Sequence, residues 1–114
     1  MRAGPILETV LYADDISAAR RFYGEVLGLA EHRSLAERFV FYRCEDQMLL
    51  IFNPAFTHQQ SGAEGPPPHG AHGPGHVCFR ASAAAQALWK THLAQHGIAV
   101  EKEMVWPGGG HSFY

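Results

Sequence analysis

Hydrophobic and polar positions alternate over residues 6–12, placing Ile6, Glu8, Val10 and Tyr12 on one side and Leu7, Thr9 and Leu11 on the other. This period of two predicts a strand with one carboxylate, Glu8, among apolar neighbours. After Asp14-Asp15 the period changes: Ile16, Ala19, Tyr23 and Val26 or Leu27 recur at helical spacing until Gly28. The acidic pair supplies an N-cap and the glycine a stop, so the pattern predicts a helix over 16–27. Residues 33–36, 39–44 and 48–53 read as three short strands, the middle one aromatic, with Glu45-Asp46 as a tight turn between the last two. The first half is therefore β-α-β-β-β.

Residues 55–74 carry too much Gly and Pro for regular structure, and a loop of this length serves as a lid, a binding loop or a linker. Alternation resumes at 76–81, opening on His76. Ser82 is placed to cap a second helix whose buried stripe is Ala85, Leu88, Trp89, His92 and Leu93, ended by Gly97. Strands over 98–104 and 111–114 follow, on either side of Trp106-Pro107-Gly108-Gly109-Gly110. The second half reads β-α-β-β.

The two halves repeat one order of elements. A shift of 68 positions pairs Glu8 with His76, Val10 with Cys78, Leu11 with Phe79 and Asp14 with Ser82, and the stopping glycines Gly28 and Gly97 match with one residue of slip. A duplicated module follows, and with it an expectation that neither half gives alone. Pseudo-twofold packing of the leading strands directs Glu8 and His76 towards a common cavity, and a carboxylate with an imidazole suits a divalent metal. The second module has no counterpart to 48–53, so its last strand is expected to be absent and a sheet edge exposed.

The bulk properties narrow the function classes. At 114 residues the chain fits one domain, and 46% hydrophobic with 18% charged residues is an ordinary globular composition. A net charge of -2 gives no footprint for nucleic acid or an anionic membrane. No apolar run approaches a membrane span or a signal-peptide core. Two cysteines, Cys44 and Cys78, do not make a disulfide framework, which points to a reducing cytoplasm.

Three segments carry a family resemblance: Glu8-Thr9-Val10-Leu11-Tyr12-Ala13-Asp14-Asp15; Ala18-Ala19-Arg20-Arg21-Phe22-Tyr23 with Val26-Leu27-Gly28-Leu29; and Gly75-His76-Val77-Cys78-Phe79. Together they resemble the vicinal oxygen chelate superfamily, which includes glyoxalase I, extradiol dioxygenases and bleomycin-resistance proteins. The resemblance implies an α+β fold in which paired βαβββ modules, here about 5–54 and 75–114 joined by the loop 55–74, form a cupped mixed sheet with helices outside. It implies metal ligands at Glu8 and His76. The fourth-strand ligand position of the first module falls near Leu49, which cannot ligate, and the usual final glutamate belongs to a strand beyond 111–114.

Other candidates each have a plainer reading. His69, His72 and His76 are spaced H-x2-H-x3-H, but a Gly/Pro loop without Cys partners does not fit a structural zinc pattern. His69, at a Pro-Pro-His-Gly corner, is the loop histidine expected to turn back over the pocket as a substrate contact or acid/base group. Arg80 pairs with a substrate anion if it faces the cup and otherwise makes a peripheral salt bridge. Phe41, Trp89 and Trp106 are core or pocket wall, with Phe41 and Trp106 taken as substrate contacts. Cys78 reads as a small core residue.

The functional expectation is a cytoplasmic, divalent-metal-dependent glyoxalase-like lyase or isomerase acting on a small vicinal-oxygen metabolite, with Zn, Ni, Mn, Fe and Co all open as the metal. The alternatives are Fe(II)-dependent ring cleavage of extradiol type and a metal-free binding or sequestering module of bleomycin-resistance type. A small-molecule substrate and a homodimer are the expected partners, the latter implied by the resemblance.

Overall fold

A computed structural model describes residues 1–59 and 62–114. Residues 60 and 61, within the predicted 55–74 loop, lie outside the described residues. The chain divides into two compact units, Met1–His76 and Val77–Tyr114.

The first unit runs β1 (Glu8–Tyr12), α1 (Ile16–Ala19), β2 (Ala30–Leu35), β3 (Phe39–Cys44), β4 (Gln47–Phe52) and α2 (Pro54–Thr57). Its sheet has the order β1-β4-β3-β2. The last three strands form an antiparallel meander, and β1 joins in parallel along β4. A parallel pair needs a crossover, and the helix between β1 and β2 begins it. Asp15 caps α1 by accepting from the Ala18 amide at 2.8 Å, as the acidic pair predicts.

The helix does not continue as a regular α-helix. Arg20–Val26 widens into a π-helix, with the Leu27 amide donating to the Phe22 carbonyl at 2.9 Å. Tyr42, fully buried on β3, donates its hydroxyl to the Arg20 carbonyl at 3.4 Å, and Gly24 passes directly against its ring. The widened turn thus sits where a large buried ring meets the helix. Gly28 then ends the segment with φ +71.

Period-two alternation separates the two faces of the sheet. Val40, Tyr42, Leu49 and Ile51 point to the helix and bury with Ile16 and Ala19, with Leu11, Tyr23 and Leu29 packed around them. Full burial of each large side chain contributes roughly 1.5–3 kcal/mol. At the end of β4, Asn53 is buried and its amide is well used. Its Nδ2 donates to the carbonyls of Asp14 and Glu37, and its Oδ1 accepts from the Ala55 amide to cap α2.

The second unit holds α3 (Ala83–Gln95), β5 (Glu103–Val105) and β6 (His111–Phe113), the two strands forming an antiparallel hairpin. Ser82 caps α3 by accepting from the Ala85 amide, and Gly97 ends it at φ +71, matching Gly28. Three sequence expectations change here. Residues 76–81 form no strand, because alternation supplies the side-chain pattern but not the ladder partner that defines a strand. The predicted strand at 98–104 is a three-residue strand beginning at Glu103. Leu88, expected in the buried stripe of α3, is 72% exposed, whereas Leu93 is buried.

Candidate functional site

The strand register lays out the sheet face opposite the helix as a grid. Directly paired residues share a face, so Glu8, Met48 and Arg43 form one row. Val10, Leu50, Phe41 and Arg33 form the next, and Tyr12, Phe52, Phe39 and Leu35 the third. The face is thus polar along one end, where Glu8 and Arg43 flank Met48, and aromatic towards the other.

Its aromatic part is tightly organised. Phe39 and Phe41 stack at 4.4 Å, and Phe41 meets Phe52 edge-on at 5.1 Å. The Arg33 guanidinium lies 5.7 Å from the Phe39 ring centroid, within cation–π range. Phe41 therefore occupies the middle of an apolar wall, one row from Glu8.

His69 comes back to this face from the loop. Its backbone amide donates to the Thr57 carbonyl at 3.0 Å, which fixes the corner against α2. Its ring lies edge-on to Phe52 at 4.9 Å, and its Nδ1 shares a 2.8 Å hydrogen bond with the Tyr12 hydroxyl. The half-buried pair Tyr12 and His69, 57 positions apart, links the first strand to the loop. The sequence carried half of this signal, since Tyr12 shares the face of Glu8 in the alternation, but its partner could be found only in three dimensions. Phe39 and Phe52 were likewise missed as members of the wall.

The other loop histidines diverge. His72 sits 3.8 Å from the Asp14 carboxylate in an exposed position. His76 is exposed at the end of the first unit, where the neighbouring Gly75 approaches the Leu11 side chain. Glu8 is exposed on β1. Among the described residues no group of three or more His, Cys, Asp or Glu side chains comes together as a metal cluster. Leu49, at the sequence position of a fourth-strand ligand, is buried in the helix-side core on the face away from Glu8, and the residues beside Glu8 on β4 are Met48 and Leu50.

Arg80 and Trp106 belong to the second unit. Arg80 is exposed, and the Trp106 indole N–H donates to Ser112 Oγ at 2.9 Å across the hairpin, leaving a half-exposed ring. On the helix face of the first unit, burial raises the phenol pKa of Tyr42 and of Tyr23. The hydrogen bond from Ser34, with Arg20 beside it, lowers the carboxyl pKa of Glu31.

A family model of the glyoxalase/bleomycin resistance protein/dioxygenase superfamily matches residues 6–114. The chain belongs to this superfamily. Its α+β fold agrees: the superfamily chain is similar to a lactoylglutathione lyase from Agrobacterium tumefaciens, with 42% identity over 99% of this chain and 85% of that one, at a TM-score of 0.91. A glyoxalase/bleomycin resistance protein/dioxygenase from Nocardioides shares the fold at 17% identity, covering 100% of this chain and 76% of that one with a TM-score of 0.71. A possible glyoxalase from Bacillus cereus does so at 24% identity, covering 96% of each chain with a TM-score of 0.62. No curated protein matches. Superfamily members typically bind divalent metals, act on small molecules and often dimerise. No described helix of this member is long and apolar enough to cross a membrane.

Proposed function

We propose that the protein is a divalent-metal-dependent lyase or isomerase of glyoxalase type, acting on a small metabolite with oxygens on adjacent carbons. The observation that carries this reading is the 42% identity, over 99% of the chain, to a protein named as a lactoylglutathione lyase. We read the two units as modules of a single domain and the chain as a cytoplasmic homodimer. The two free cysteines, Cys44 and Cys78, suit a reducing compartment.

Glu8 and His76 are the residues that would hold the metal, one of Zn, Ni, Mn, Fe or Co. The fit is one of donor chemistry: a carboxylate oxygen and an imidazole nitrogen, both exposed, the first at the polar end of the sheet face. When bound, the metal supplies Lewis acidity to the adjacent oxygens of the substrate. The protein side chains do the rest. Phe41, with Val10 and Leu50 in its row, offers an apolar wall that orients the carbon skeleton and excludes water. His69 donates through a ring N–H to the oxyanion that develops on the substrate's oxygen as isomerisation moves a proton between adjacent carbons.

The aromatic wall of Phe39, Phe41 and Phe52 also favours a second reading, a metal-free binding module for a planar ligand. Metal analysis of purified protein and of Glu8→Ala and His76→Ala, together with lactoylglutathione formation from methylglyoxal and glutathione, separates the two. Metal bound at one per site, lost in both variants along with turnover, supports the enzyme. A wild type that holds no added metal and shows no turnover, yet binds aromatic compounds, replaces it with the binding module.

A further inference from the structure

The hydrogen bond between Tyr12 and His69 has chemical content beyond fastening a loop. A neutral imidazole carries its proton on one ring nitrogen, and the nitrogen chosen is set by the hydrogen bond that the other makes. The His69 partner is a phenol, which is a stronger donor than a neutral imidazole N–H, so the favoured arrangement has the Tyr12 O–H donating to Nδ1 at 2.8 Å. The ring proton then resides on Nε2. Two further contacts restrict the ring: the His69 backbone amide is held by the Thr57 carbonyl at 3.0 Å, and Phe52 stands edge-on at 4.9 Å.

We propose that Tyr12 is a positioning residue that locks His69 in the Nε2–H tautomer and so decides which ring nitrogen is offered to the substrate as a hydrogen-bond donor. Its catalytic consequence rests on the lyase reading above, whereas the tautomer itself does not. In a step where an oxyanion develops on the substrate, Nε2–H is the donor that His69 presents, and the Tyr12 hydroxyl stabilises the ring from the opposite side. The phenol neither touches the substrate nor changes its own protonation. It acts through the imidazole alone.

The test is nitrogen NMR of the free protein labelled with ¹⁵N-histidine. Because the chain has eight histidines, the His69 signals are assigned by their loss in His69→Gln. The wild type is expected to show the Nε2–H pattern at neutral pH, and Tyr12→Phe, which removes only the hydroxyl, a mixture of tautomers. An Nδ1–H pattern in the wild type overturns the proposal even if the variant fails to fold, and so does an unchanged pattern in a folded Tyr12→Phe. With lactoylglutathione formation as the assay, Tyr12→Phe is expected to lower kcat about tenfold or more while KM stays constant, as loss of a ring-orienting partner does. An unaltered kcat overturns the catalytic role. A wild-type Nε2–H pattern that gives way to a mixture in Tyr12→Phe, with no turnover in either protein, overturns the lyase reading and leaves the tautomer lock supported.

Discussion

A β-carbon on Gly24 would lie 3.3 Å from the phenolic oxygen of Tyr42. Tyr42 is fully buried and its hydroxyl is committed to the Arg20 carbonyl, so the ring has nowhere to retreat. Alanine at an ordinary helical position gains up to about 1 kcal/mol over glycine. Here the close contact is expected to outweigh that gain, making Gly24→Ala destabilising by about 1 kcal/mol. In a Tyr42→Phe background the obstructing oxygen is gone, and the same alanine becomes neutral or stabilising. Urea unfolding of the four-member cycle checks the change of sign.

Asn53 joins the segment after β1, the β2–β3 turn and the start of α2 through three side-chain hydrogen bonds. Asn53→Ala leaves the Asp14 and Glu37 carbonyls without this donor and is expected to cost about 2–4 kcal/mol. Asn53→Asp is expected to cost at least as much, despite its similar shape, because it turns a carboxylate oxygen towards two carbonyl oxygens. Comparing the two by thermal unfolding near neutral pH distinguishes loss of the donor from loss of volume.

Acid has a defined local effect at Glu31. Hydrogen bonding from Ser34 and the adjacent Arg20 lower its carboxyl from the ordinary 4.5, so the stability it contributes is present above that value and is lost as the pH falls through the lower, folded-state value. The site is partly solvated, which holds the contribution below about 1 kcal/mol. Ser34→Ala is expected to move the Glu31 midpoint upward in a carboxyl-carbon NMR titration. No movement would detach the lowered pKa from the serine.

Alkali acts through the tyrosines. Burial raises Tyr23 and Tyr42 from the ordinary 10.0, so these phenols remain protonated where the unfolded chain has already ionised. The unfolded state then binds fewer protons than the native one, and stability falls as the pH rises past about 10. Absorbance at the phenolate band is expected to show a late-titrating class among the four tyrosines that disappears in urea. Tyr23→Phe with Tyr42→Phe is expected to remove it.

What the sequence made legible was local. Asp15 and Ser82 cap their helices, Gly28 and Gly97 end them, and the strand at 39–44 falls where its aromatic run places it, because each depends on neighbours a few residues away. The leading pattern at 76–81 misleads, since alternation does not specify a ladder partner. Leu88 misleads for a related reason: helical spacing identifies a face, but how far that face is covered depends on the surroundings, and at 88 it is open. The π-helix sits where a ring arrives from β3, a juxtaposition that the helical residues do not encode by themselves. Of the candidate site, the alternation put Glu8 and Tyr12 on one face and the loop corner singled out His69, yet the contact joining Tyr12 to His69 needed the fold.

The parallel pairing of β1 gives the sheet an uneven grip on its own residues. β4 is laddered on both sides, whereas β1, at the end of the strand order, is laddered among the described residues to β4 alone. The meander from β2 to β4 closes through short connections, but each residue of β1 must wait for a partner 40 residues further on. Amide hydrogens of β1 are therefore expected to exchange with solvent sooner than those of β3 and β4. When that strand frays, Glu8 and Tyr12 leave the sheet together, so the candidate metal ligand and the partner of His69 share one opening event.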